Sequence, residues 1–211
     1  MSVGADGGSI STERTPIFPL GTVLFPGGLL PLRIFEARYM DMARDCLKRQ
    51  RPFGVCLIRE GREVGAPATP EPIGCLARII DCDMQQLGVL QVMTHGGERF
   101  RILDSNVNAQ GLISADIEML PDEPDLALPE EFAACQRLLE MVVKDQGDEV
   151  FAAPHRFDDA VWVGYRLSEI LPAPPAAKQK LLELEDSLSR LSILQRFLEQ
   201  HGIGAAPDGQ Q

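Results

Sequence analysis

From Pro16 to Tyr39 the chain reads PIFPLGTVLFPGGLLPLRIFEARY, with four prolines and three glycines set among large apolar residues. Such a stretch cannot be the inside of a helix, because proline lacks the amide donor and clashes with the preceding turn. Nor can proline donate to a central sheet ladder. Ile17–Leu20 and Leu29–Leu32 therefore read as edge strands or strand ends, with Phe25-Pro26-Gly27-Gly28 as the turn between them. Phe18, Leu20, Val23, Leu32, Ile34 and Phe35 are then expected in the core.

Glu36–Lys48 reads as a helix, with Phe35, Tyr39, Met42, Ala43, Cys46 and Leu47 at helical spacing on one face. Pro52–Glu60 is a strand of buried type, and GREVGAPATPEP (61–72) is a loop. Strands follow at Ile73–Cys82, Leu87–Thr94, Arg99–Leu103 and Leu112–Leu120, with GGERF (96–100) as a hairpin turn feeding the third of them. Many short strands with one early helix predict a closed or nearly closed barrel. PDEPDLALPEE (121–131), three prolines and five acids, marks a boundary. Beyond it come helices at Glu130–Asp145, Phe157–Leu171 and Ala176–His201, the last with a leucine stripe from Leu181 to Leu198. The expected class is α+β: a tail at 1–14, a barrel at 15–122, helices at 123–204 and a second tail at 205–211.

Charge and motif content exclude several chemistries. Of the net charge of −11, residues 1–120 hold −2 and residues 121–211 hold −9, which disfavours binding to phosphate backbones. The cluster Arg44, Lys48, Arg49 and Arg51 reads as a helix end. The four lysines (Lys48, Lys144, Lys178, Lys180) have no glycine before them and no Ser or Thr after them, so there is no phosphate-loop lysine. No G-x-S-x-G elbow occurs. Five cysteines without C-x-x-C spacing read as buried, reduced thiols, and three scattered histidines propose no metal. No cofactor is expected. No apolar run approaches the ~20 residues that span a bilayer, and the N-terminus has no basic-then-apolar leader, so a cytoplasmic protein is expected. Trp162 and Tyr165, three apart on the second helix of the C-terminal half, are candidate anchors for an extended peptide.

Pro19-Leu20, Val23-Leu24-Phe25-Pro26-Gly27, Leu30-Pro31-Leu32 and Phe35-Glu36-x-Arg38-Tyr39, in that order, resemble the start of the Lon protease N-terminal domain. The same domain type forms the Lon-like part of cereblon. GCLARI (74–79), GGERFRI (96–102), SADIEML (114–120) and KQKLLELEDSLSRL (178–191) continue the likeness. One departure is MQQLG before Val89, where family members often carry an Asp-Gly turn. The resemblance implies a PUA-like β-barrel followed by a helical bundle. It also implies a free-standing, non-enzymatic substrate-recognition module without the ATPase and protease parts of Lon. Its expected partners are unfolded or tagged polypeptides, or a protease or chaperone, and neither membrane nor nucleic acid. Arg33, Glu36, Arg38 and Arg99 join Trp162 and Tyr165 as candidate partner-binding residues, and an ion pair among the motif residues would pin the first helix to the barrel. Two alternatives stand beside this: an RNA- or small-ligand-binding module with a basic groove around Arg33, Arg38, Arg99 and Arg101, and an enzyme with a cryptic hydrolase site.

Overall fold

A computed structural model describes residues 14–147 and 150–203, the side chains of 85 and 86 excepted. The tails read at 1–14 and 205–211 lie, Arg14 apart, outside the described residues. The proline-rich opening forms β1 (Thr15–Leu20) and β2 (Leu29–Ile34), and α1 (Ala37–Arg49) follows directly. Gly27 adopts φ +73° in the turn between the strands, a conformation that favours glycine. Along β2, Leu32 and Ile34 point inward while Pro31, Arg33 and Phe35 point out. Phe35, expected in the core, is instead 56% exposed: the strand's two-residue period carries past Ile34 and leaves Phe35 on the solvent face.

Five more strands complete the sheet: β3 (Phe53–Glu60), β4 (Thr69–Pro70), β5 (Ile73–Gln86), β6 (Val89–Val107) and β7 (Ile113–Met119). Their order is β1-β7-β6-β5-β3-β4, with β2 off this path on β6. The sheet is largely antiparallel, and β1 also meets β3 in parallel, from Ile17↔Gly54 to Leu20↔Leu57. It is not the simple closed or nearly closed barrel expected: β1 and β3 join the ends of the path β1-β7-β6-β5-β3, but β4 extends beyond β3 and β2 hangs on β6 alone. The architecture is α+β, an antiparallel sheet with several helices.

The two strands expected at 87–94 and 99–103 are one. GGERF is no turn but the middle of the 19-residue β6, and the hairpin turn lies at Leu87-Gly88. The glycine at 96 serves close approach: a Cβ there would stand 2.2 Å from the Phe25 carbonyl oxygen. Backbone bonds fix that approach, Gly27 N–H to Gly96 C=O and Gly96 N–H to Gly28 C=O, each 2.8 Å.

The C-terminal half holds α2 (Ala133–Gln146), α3 (Ala160–Ile170), α4 (Pro175–Glu183) and α5 (Ser187–Gln200). The single long helix expected from 176 to 201 is broken at Leu184. Asp186 caps α5 by accepting from Ser189 N–H at 2.8 Å, and two arginines satisfy the end of α4. Arg99 of β6 donates to the carbonyls of Leu182 and Leu184, and Arg190 of α5 donates to those of Leu181 and Leu184. Apolar side chains of all four helices pack with Val23, Phe25 and Leu57 from the sheet side. A second core lies between α1 and the strands.

Candidate functional site

Two concave surfaces bring the candidate residues together in separate groups. The first runs beside β2 and encloses about 290 Å³. Leu20, Leu30 and Leu32 line it, exposed Phe35 and Val64 stand on its walls, and Arg33, Glu36 and Glu63 supply charge. Arg33 is exposed. Glu36 forms an ion pair with Arg38 at 2.8 Å, and Arg38, almost fully buried, also donates to the Gly111 carbonyl at 3.0 Å. Its guanidinium lies 4.7 Å from the centre of the Tyr39 ring. The motif pair thus ties the start of α1 to the loop after β6, without Arg99.

The second cleft, about 320 Å³, lies where the Pro26-Gly27 turn meets α3. Trp162, Tyr165 and Arg99 all line it, as do Asp122, Glu123, Asp125, Arg156 and Asp159. It is charged rather than apolar. Trp162 is half-buried and packs against Phe157 and His155, at 5.2 and 5.9 Å between ring centres. Tyr165 is buried: its hydroxyl donates to Glu123, and the Arg190 guanidinium stacks 4.1 Å from its ring centre. Burial pushes the Tyr165 phenol well above its ordinary range.

Glu123 is the hub that the sequence hid. Its side chain is 2% exposed, it receives two bonds from Arg190 at 3.0 and 2.6 Å, and Arg99 lies 3.7 Å away. Carboxylate, phenol and two guanidiniums form one buried network between sheet and helices. Arg166 makes a second tie. It is 1% exposed and donates to the carbonyls of Pro26 and Gly27 and to Glu169 at 2.9 Å. Lys178 donates to the Glu169 carbonyl at 2.6 Å. The advance signal for Arg166 and Lys178 was charge on helix faces otherwise committed to packing; Glu123, outside any helix, gave none.

Burial holds the Glu169 carboxyl at about 7, against an ordinary 4.5, despite the opposing pull of Arg166 and Lys178. The folded state therefore holds this proton more tightly than the unfolded chain does. The resulting stabilisation is complete below pH 4.5 and is lost as pH rises toward 7, at up to about 1.4 kcal/mol per pH unit. Urea unfolding at pH 5 and pH 8 checks this: Glu169→Gln should flatten the difference by about 2 kcal/mol.

The arginines of the supposed basic groove do not converge. Arg99 and Arg38 are buried in separate networks. Arg101 faces Glu118 at 3.8 Å, ten residues along β6 from Gln91, the partner of Arg33. Glu169 lines neither cleft. Cys46, Cys56, Cys75 and Cys135 are buried, and Cys82, expected like them to be buried, is exposed on β5 beyond its pairing with β3. Among the described residues, no group of three or more His, Cys, Asp or Glu could hold a metal ion, and no helix is long and apolar enough to cross a membrane.

The family model of the ATP-dependent protease La (LON) substrate-binding domain matches residues 14–200. The chain belongs to this family. Among solved structures, the Lon substrate-binding fold recurs in the Lon N-terminal domain protein from Xanthomonas campestris, 34% identical, with a TM-score of 0.73 over 87% of this chain and 97% of that one. Lon protease from Cytophaga hutchinsonii is 25% identical over 88% of this chain and 24% of its own length. Protein cereblon from Danio rerio is 27% identical over 61% of this chain and 30% of its own length. The chain thus spans about a quarter of the Lon proteases it matches.

Proposed function

We propose that this Lon substrate-binding-type chain is a non-enzymatic module that holds unfolded or extended polypeptide in the groove beside β2. One observation carries the reading: an apolar groove whose wall exposes Phe35 at 56%, flanked by Arg33 and Glu36. An aromatic ring left half in water beside apolar walls is a ready anchor for an apolar side chain of a partner. In this reading the sheet is a PUA-like platform over residues 15–122, and the helices at 123–204 form a bundle that braces it. Trp162, with Arg99 and Tyr165 behind it, offers a second contact in the charged cleft. Delivery to a protease or chaperone partner fits a recognition module, and none of the four lysines of this sequence lies in a phosphate-loop context.

Reduced, carboxymethylated α-lactalbumin is a permanently unfolded probe. Fluorescence anisotropy should show binding to it and none to the native, disulfide-intact form. Phe35→Ala should weaken binding about tenfold with the thermal midpoint unchanged, because the ring is already largely in water. Absence of binding to the unfolded probe at low and moderate salt would overturn the proposal.

A further inference from the structure

We propose that the bound polypeptide adds to the outer edge of β2 as a strand, bonding the backbone of Leu29, Pro31 and Arg33 from the side opposite β6. This rests on the polypeptide-binding reading above and goes beyond it by naming what the groove recognises: an extended main chain.

The argument starts from register. β2 pairs with β6 alone, from Leu29↔His95 to Ile34↔Leu90. In an antiparallel ladder, residues alternate between pairs that exchange hydrogen bonds and pairs that do not. Pro31 has no N–H and cannot complete a bonded pair, so a strand proline belongs in the other phase, where its nitrogen faces away from the neighbour. Leu29 and Arg33, two residues to either side, share its phase. The continuation of the ladder agrees: Gly28, one residue out of phase with Leu29, accepts from Gly96 N–H at 2.8 Å. The N–H and C=O of Leu29, the C=O of Pro31, and the N–H and C=O of Arg33 therefore point away from β6. Among the described residues, none of them has a backbone or side-chain hydrogen-bond partner.

This open edge borders the groove. Thr22, Glu63 and Val64 also line it, away from β2 in sequence. Unpaired main-chain donors and acceptors beside apolar walls are met by another extended backbone, the way a peptide augments a sheet edge. Six residues of β2 span about 20 Å, so the segment held is about six residues long. Pro31 can accept but not donate, so one carbonyl of the incoming strand goes unmet there. That limits affinity and guards the edge against permanent pairing.

Arg33 allows a direct test, because its N–H points outward. Arg33→Ala removes the side chain and keeps the donor, whereas Arg33→Pro removes both and leaves the β6 ladder whole. With reduced, carboxymethylated α-lactalbumin as probe, Arg33→Pro should bind at least about tenfold more weakly than Arg33→Ala, so that whatever the side chain itself contributes cancels between the two. Near-ultraviolet circular dichroism reports whether Arg33→Pro retains the fold. A second arm acts on the probe: a binding peptide of about ten residues cut from α-lactalbumin, N-methylated at each position in turn. Loss of binding at every second position is the expected result. Equal binding by folded Arg33→Pro and Arg33→Ala, or indifference to N-methylation, would overturn strand addition and leave polypeptide binding standing. If the parent protein ignores the unfolded probe altogether, the broader reading falls and this one with it.

Discussion

Glu123→Ala should lower the unfolding free energy by about 3–5 kcal/mol, the largest loss expected from any single side chain. The carboxylate is 2% exposed and, among the described residues, is the only acid within ion-pair distance of both Arg99 and Arg190, themselves 3% and 0% exposed. Removing it leaves two guanidiniums buried without a counter-charge and takes the acceptor from the Tyr165 hydroxyl. Urea titration followed by circular dichroism measures the loss directly. Tyr165→Phe removes one bond and keeps the ring under Arg190, so about 1 kcal/mol is expected there. A loss below about 1 kcal/mol for Glu123→Ala would mean that water reaches the network and the burial argument is wrong.

The second large effect contrasts two adjacent glycines. Gly96→Ala places a methyl 2.2 Å from the Phe25 carbonyl oxygen, a backbone atom that cannot swing aside. Separating them breaks the bonds between Gly96 and the Gly27-Gly28 turn, which also carries the carbonyls held by Arg166. About 3 kcal/mol of destabilisation is expected, or a fall of roughly 6–12 °C in the thermal midpoint. At Gly97 the nearest atoms to a new methyl are 3.6 and 3.7 Å away, ordinary contact, so Gly97→Ala should leave the midpoint within a few degrees. Equal behaviour of the two variants in a thermal melt would remove close approach as the reason for the glycine.

Local rules made much of this legible. Proline placed β2 at an edge, whereas β1, read the same way, has β3 and β7 on its two sides; helical spacing found α1, and period-two alternation was present in Leu32, Arg33, Ile34 and Phe35, where the pull of a large aromatic toward the core hid its meaning. The rest was decided by partners distant in sequence. Nothing in PDEPDLALPEE distinguishes Glu123 from its solvated neighbours, because its burial depends on Arg190, 67 residues away. The leucine stripe from 181 to 198 reads as one helix, since each residue suits one; the break is set by Asp186 locally and by Arg99 from the sheet. Gly96 carries the ordinary signature of a turn, and only the approach of Phe25 gives it another use. Of the candidate site residues, Arg33 and Glu36 share one groove, Trp162, Tyr165 and Arg99 share the other cleft, and Arg38 and Tyr165 are engaged within the fold.

One of the two arginines that close α4, Arg99, comes from β6. A helix whose last carbonyls are met by a strand some 80 residues earlier cannot complete that end until the sheet is in place, and the sheet would leave a buried cation bare without the helix. The compositional boundary at 121–131 is therefore no seam in stability. Strands and helices should melt together in one cooperative transition, so a partner that grips either half is felt by the whole.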